Sequence, residues 1–259
     1  MKRLFISLLV CVSGLASQAQ VTELPEGFTS KSTVWIVRAG ASFSGVSGDG
    51  VDATKDSWEK GKWTGDFKRA FGGNLSIGFN KTIGSTPLYW GLDLGVAMRG
   101  YKTKSDWSSY GTQTVAKTTI TDSHVKSQTQ TLNAYNVILS PITIGYRYII
   151  NGNMAVDAHV GGFASYDFAG SFDTEIYDFS QTRSSKYGYS SKDKSSNNSV
   201  KIDDIDGYRK YDFGVIGGIG FWYGHFNIDF SYQRGFVSIL DSDDGLFCNK
   251  LQVKLGYAF

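Results

Sequence analysis

Hydrophobic and polar positions alternate with a period of two through eight stretches of this chain. A strand sends successive side chains to opposite faces, so this period predicts strands with one apolar face. In Cys248–Phe259 the residues Leu251, Val253, Leu255, Tyr257 and Phe259 share one face, and Lys250, Gln252, Lys254, Gly256 and Ala258 share the other. Leu88–Lys102 is cleaner still: Leu88, Trp90, Leu92, Leu94, Val96 and Met98 oppose Tyr89, Gly91, Asp93, Gly95, Ala97 and Arg99. Further strands are predicted at Thr33–Gly45, Lys68–Asn80, Thr131–Ile149, Met154–Ser171, Tyr208–Tyr223 and the run from Phe226 to Gln233. Pro141 has no N–H to give a ladder, which predicts a bulge within Thr131–Ile149.

The connections alternate in length. Val46–Asp66, Lys104–Gln130, Phe172–Gly207 and Val237–Phe247 are long and polar and are expected to be loops, whereas Lys81–Pro87, Asn151–Asn153 and Tyr223–His225 are short turns. Outer-membrane barrels are built this way, from an even number of strands joined by short periplasmic turns and long extracellular loops. A soluble sandwich gives no reason for such segregation. The expected fold is all-β: an eight-stranded antiparallel up-and-down transmembrane barrel over residues 33–259, with long extracellular loops. Charge placement agrees. Arg38, Asp93, Arg99, Arg147, Asp157, Asp212, Asp229 and Lys254 all lie opposite the large apolar side chains, and so in the lumen. Eight strands leave an interior just wide enough for side chains, so these charges are expected to pair into a plug.

The start of the chain carries a different pattern. Lys2 and Arg3 precede the apolar run Leu4–Leu15, and Ser17-Gln18-Ala19 offers small residues for cleavage. Residues 1–19 are therefore expected to be a signal peptide, leaving together with Cys11. The apolar run is shorter than the ~20 residues a transmembrane helix needs. Residues 20–32, with Pro25 and Gly27, are expected to form a periplasmic N-terminal arm. Losing Lys2 and Arg3 from 26 basic residues leaves 24, equal to the 24 acidic ones. That neutrality gives no argument for a nucleic-acid partner. Cys248 is then the one remaining cysteine, which excludes an intrachain disulfide and the disulfide-stapled classes.

No catalytic, cofactor or metal site is expected. His124, His159 and His225 have no ligand spacing. His159 shares a face with Asp157, which reads as an acid–base pair or, more commonly in a wet barrel interior, as a lumen hydrogen bond. No Ser–His–acid trio stands out. Asp203-Asp204-Ile205-Asp206 and Asp241-Ser242-Asp243-Asp244-Gly245 offer oxygens to a divalent cation, but the second lacks the later glutamate of an EF-hand loop, and both read first as solvated charge. Lys186, Lys192, Lys194 and Lys201 make the third long connection basic, and it is expected to be a mobile, soluble loop. Trp58, Trp63, Trp107 and Tyr110 fall in the long connections, where aromatics suit glycan or protein contact or cap the barrel mouth.

Three segments carry a resemblance: Ser140-Pro141-Ile142-Thr143-Ile144-Gly145-Tyr146-Arg147-Tyr148, Asp212-Phe213-Gly214-Val215-Ile216-Gly217-Gly218-Ile219-Gly220, and Lys254-Leu255-Gly256-Tyr257-Ala258-Phe259. They resemble the Bacteroidetes eight-stranded outer-membrane barrels of the PorT-like group, and the signal ending Ala19-Gln20 suits the same bacteria. The resemblance implies recognition of the aromatic end at Phe259 by the outer-membrane insertion machinery. Through the group's founding member it also implies a tie to protein secretion. The expected function is non-enzymatic: a structural or interaction barrel of the cell outer membrane acting through its extracellular loops. Its expected surroundings are outer-membrane lipid and lipopolysaccharide, with an extracellular protein or glycan as partner. A small pore or transport barrel and a lipid-modifying outer-membrane enzyme are the alternatives.

Overall fold

The computed structural model describes residues 33–259 except 116, 187 and 242–244. The expected signal peptide and N-terminal arm, and Ser242, Asp243 and Asp244 of the second acidic cluster, lie outside the described residues. The described residues form nine strands: β1 (Thr33–Ser47), β2 (Trp63–Thr82), β3 (Leu88–Val115), β4 (Thr118–Asn151), β5 (Met154–Ser184), β6 (Gly188–Lys201), β7 (Tyr211–Tyr223), β8 (Phe226–Ser238) and β9 (Phe247–Ala258). Eight of them close a ring of antiparallel pairs. The chain runs in order from β1 to β5, β5 then pairs with β7, and β9 returns to β1 along the register Ile36↔Ala258 to Ser47↔Phe247. The ninth strand, β6, is a hairpin partner for the far half of β5 only, from Ser171↔Lys201 to Ser184↔Gly188.

The ring is turned inside out relative to a soluble protein. Ile36, Arg38, Ser42 and Ser44 of β1 are buried, while Trp35, Val37 and Phe43 between them are exposed. The same inversion runs round the barrel through Leu94 and Val96, Ile142 and Ile144, Phe230, Val253 and Leu255. Aromatics gather at the two edges of this exposed apolar band. At the short-turn edge Trp35 packs on Phe79 at 5.4 Å and Phe79 on Trp90 at 5.1 Å; Phe226 meets Tyr257 at 5.5 Å. At the other edge Phe43 packs on Phe71 at 5.4 Å and Phe213 on Phe236 at 6.5 Å. From Trp35 to Phe43, at about 3.3 Å per residue and a tilt of about 40°, the band is roughly 20 Å tall, close to the ~25 Å expected of a barrel in an outer membrane.

Two of the ring's register irregularities bear on the expectations from sequence and on the contact between β3 and β1. The bulge expected at Pro141 is present, with the register shifting between Leu139 and Ile142 against β5 and between Gly91 and Asp93 against β4. A second lies in β2 between Arg69 and Asn74, where β3 reaches past it and Gly100 N donates to Ser44 Oγ of β1 at 2.9 Å.

Three of the four long connections differ from the expected loops. Val46–Asp66 holds an α-helix, α1 (Asp49–Lys60), with Asp49 and Asp52 in its first turn and Lys60 in its last, each favourable to the helix dipole. Lys104–Gln130 is a continuous hairpin, with β3 and β4 paired to Val115↔Thr118. Phe172–Gly207 is the β5–β6 hairpin followed by a 3-10 turn at Ile202–Asp204. Lys192, Lys194 and Lys201, expected in a mobile loop, therefore sit in a hydrogen-bonded strand. For the strand extensions one physical reason holds. Outside the apolar band both strand faces meet water, so no hydrophobic alternation marks the strand, and the backbone ladder alone extends it.

Candidate functional site

The lumen charges assemble as two layers. In the layer nearer the short turns, Arg38 Nη1 donates to both Asp93 oxygens at 2.8 and 3.1 Å, and its Nε donates to Asn227 Oδ1 at 3.3 Å. Arg147 Nη2 lies 3.4 Å from Asp157, its direct partner across β4 and β5. The Arg147 guanidinium stands over the rings of Tyr89 and Trp222 at 4.8 and 4.4 Å. Trp222 Nε1 donates to Asp157. His159 lies between two carboxylates, with Nδ1 3.5 Å from Asp157 and Nε2 3.5 Å from Asp229, and Asp229 also meets Lys254 at 3.3 Å. The Asp157–His159 neighbourhood read from the sequence is thus real, and it belongs to a paired charge network.

The second layer centres on Arg99, held by Asp167 at 2.6 Å and Asp212 at 3.3 Å. Tyr208 Oη also donates to Asp167. Facing glycines make these layers fit. A Cβ at Gly218 would lie 2.8 Å from His159 Cε1, and one at Gly235 would lie 2.2 Å from Asp212 Oδ2. Between the layers a cavity of about 40 Å³ is lined by Asn74, Ser76, Asp93, Gln233, Gln252 and Lys254. That is space for a few waters, at roughly 10–15 Å³ each.

Apolar clusters lie at both ends of the lumen. Ile36, Ala155, Trp222 and Ala258 pack together at the short-turn end. At the far end Tyr101, Leu132, Ile202, Ile239, Leu246 and Cys248 do so, joined by Val51 of α1 and Phe67. Trp58 is part of that cap, stacked on Phe67 at 5.6 Å and filling the space over Gly65.

Beyond the apolar band, β2 to β6 rise as one sheet. Its inner face, the continuation of the lumen face, carries a single row in direct register: Trp63, Trp107, Lys126, Asp178 and Lys194, one from each strand. The Trp63 and Trp107 rings are 6.5 Å apart, and Lys126 Nζ stands 5.9 Å over Trp63. His124, one rung further out, meets Trp107 edge to face at 5.1 Å, and its Nε2 is 2.6 Å from Asp178 Oδ1. The two indoles and His124, Lys126 and Asp178 are half-buried, so flat apolar surface sits beside polar groups that water can reach. The sequence pointed to Trp63 and Trp107, but the His124–Asp178 pair depends on a cross-strand register that no local pattern encodes. Tyr110 projects near the hairpin tip, 75% exposed.

The remaining candidates have local roles. His225 Nδ1 lies 2.9 Å from Ala258 O, and its ring stacks on Tyr257. In the acidic clusters Asp203 pairs with Lys210 and Asp241 with Arg209. The hydrogen bond from Lys210 to Asp203 raises the lysine pKa. Beside α1, Lys55 lies 3.1 Å from Asp66 and, with the Phe67 N–H, holds the Asp66 carboxyl below its ordinary value.

Solved structures of surface and outer-membrane proteins are similar to the chain. Ail, the attachment invasion locus protein of Yersinia pestis, is 15% identical, with 88% of this chain and 100% of that chain covered and a TM-score of 0.33. Neisserial surface protein A is 11% identical, with 87% and 97% covered and a TM-score of 0.32. The translocator domain of the autotransporter NalP from Neisseria meningitidis is 9% identical, with 100% and 96% covered and a TM-score of 0.25. No curated protein sequence matches the chain. The family model for the outer membrane protein beta-barrel domain matches residues 18–241. With the closed ring, its lipid-facing band and its aromatic edges, the chain belongs to the outer membrane protein beta-barrel domain family and resides in the outer membrane.

Proposed function

We propose that this barrel is a non-enzymatic surface-binding protein that presents the row Trp63, Trp107, Lys126 and Asp178, with His124, to an extracellular glycan or protein. The observation that carries the reading is the register: five strands place aromatic, basic and acidic side chains in one line on one face. Short turns are periplasmic in barrels of this kind, so that face stands outside the cell. Indole faces offer flat apolar area to a sugar ring or an aliphatic side chain, and the His124–Asp178 pair offers polar groups beside them. The lumen supports the same reading. His159 has both ring nitrogens turned to carboxylates within an ion-pair network, so it is occupied with structure.

A glycan array probed with the full chain in detergent tests this. Bound spots should disappear with Trp63→Ala/Trp107→Ala while the barrel keeps its heat-modifiable gel migration. Undiminished binding by that variant would remove the row from the function. The segments Ser140–Tyr148 and Asp212–Gly220 also support a place beside the PorT-like barrels of Bacteroidetes, and with it a secretion-accessory role. Deleting the chain in its own host and measuring secreted protein separates that second reading from the first.

A further inference from the structure

The outward face of the rising sheet holds a pair of like charges that no ion pair among the described residues neutralises. Lys68 of β2 and Lys102 of β3 are direct cross-strand partners, and both are exposed. Their strand neighbours Phe67, Tyr101 and Thr103 turn inward, so both lysines turn outward. Like charges directly opposite on a ladder are destabilising. Neither lysine forms an ion pair with another described residue. The next outward rung is different: Asp66 lies opposite Lys104 and pairs with Lys55 at 3.1 Å, and Lys104 meets Asp106 at 3.5 Å. Repulsion is therefore left standing at one rung and relieved at the adjacent one.

The position of that rung gives the reason. Phe71 and Tyr135, 68% and 47% exposed, mark the outer aromatic edge of the lipid-facing band on β2 and β4. Lys68 is three residues beyond Phe71, about 10 Å along the strand, which is the level of lipid headgroups. We propose that Lys68 and Lys102 bind a phosphate group on the headgroup of an outer-leaflet glycolipid, whose acyl chains lie along the band below. Phosphate accepts several charge-assisted hydrogen bonds, and lysine serves it as a point charge that needs no fixed geometry. One phosphate between the two ammonium groups turns the repulsive rung into an attractive one.

Binding of diphosphorylated lipid A to the full chain in detergent tests the assignment, with dephosphorylated lipid A and inorganic phosphate as separate probes. Lys68→Gln/Lys102→Gln should bind diphosphorylated lipid A at least tenfold more weakly and keep heat-modifiable migration. Dephosphorylated lipid A should bind wild type and variant alike, and weakly. A second variant keeps the test independent of folding. In Lys68→Glu the introduced carboxylate pairs with Lys102, so thermal stability in detergent should hold or rise while lipid affinity falls. Undiminished binding by either variant, equal binding of the dephosphorylated lipid, or saturation by inorganic phosphate at the same concentration would each overturn the proposal.

Discussion

Arg99 Nε donates to Asp167 Oδ2 at 2.8 Å, joining β3 to β5 through the middle of the barrel. The two side chains are 3% and 0% exposed, so this ion pair is held away from water. Removing one member of such a pair leaves the other charge buried and uncompensated. Asp167→Ala is therefore expected to destabilise the barrel by about 3–5 kcal/mol, read as the guanidinium midpoint of unfolding from lipid vesicles. A shift corresponding to less than about 1 kcal/mol would mean that Asp212 alone suffices for Arg99.

Tyr89 and Gly145 are packed just as closely. A Cβ at Gly145 would lie 2.2 Å from Tyr89 Cζ and 2.5 Å from its Cε1. Gly145→Ala should cost about 1–3 kcal/mol by overpacking. In a Tyr89→Ala background the same substitution should cost almost nothing, because the three nearest neighbours of the new methyl all belong to that side chain. An equal cost in both backgrounds would place the strain in the backbone instead.

Acid should loosen α1 before it loosens the barrel. Lys55 and the Phe67 N–H hold the Asp66 carboxyl below its ordinary 3.8. A group with a depressed folded pKa contributes stability that is fully present above its unfolded value and is lost as pH falls through its folded value. Trp58 reports on this contact through its stacking on Phe67. Its fluorescence should change below about pH 4 in wild type, and Asp66→Asn should already show the acid spectrum at neutral pH. A pH-independent Trp58 signal would remove the ion pair from helix docking.

The lumen is expected not to conduct. Apolar clusters lie at both ends, around Trp222 and around Leu132, and between them Arg38, Arg99, Arg147 and Lys254 each pair with an aspartate. Planar-bilayer recordings of the purified chain should show no regular step openings. Reproducible unitary steps would favour the pore reading over the plugged barrel.

What the sequence disclosed follows from where water and lipid meet the strands. Val37, Leu94, Ile144 and Val253 alternate with polar or small residues because lipid lies on one side of them and a charged lumen on the other. That contrast made the eight ring strands and their inward charges legible. It vanishes above the band. Ser108, Lys126, Thr174 and Ser196 sit in strands whose faces are both wet, so β6 and the ends of β3, β4 and β5 read as loops. The helix at Asp49–Lys60 was hidden by Gly50 and by apolar positions too few to mark a face. The lysine pair had another cause. Lys68 and Lys102 are 34 positions apart in sequence, and only the β2–β3 register, set through the bulge after Arg69, makes them neighbours.

The sheet beyond the band rises from one side of the ring only. β3, β4 and β5 run for 28, 34 and 31 residues, whereas β7, β8 and β9 stop after 13, 13 and 12. The result is a parapet along half of the mouth, and its inner face overlooks the barrel's own axis. A ligand on the Trp63–Trp107 row would therefore occupy airspace above this same barrel. Neighbouring proteins could crowd to touching distance around the wall without shading it. In a packed outer membrane, the ground beneath that row is reserved by the protein's own footprint.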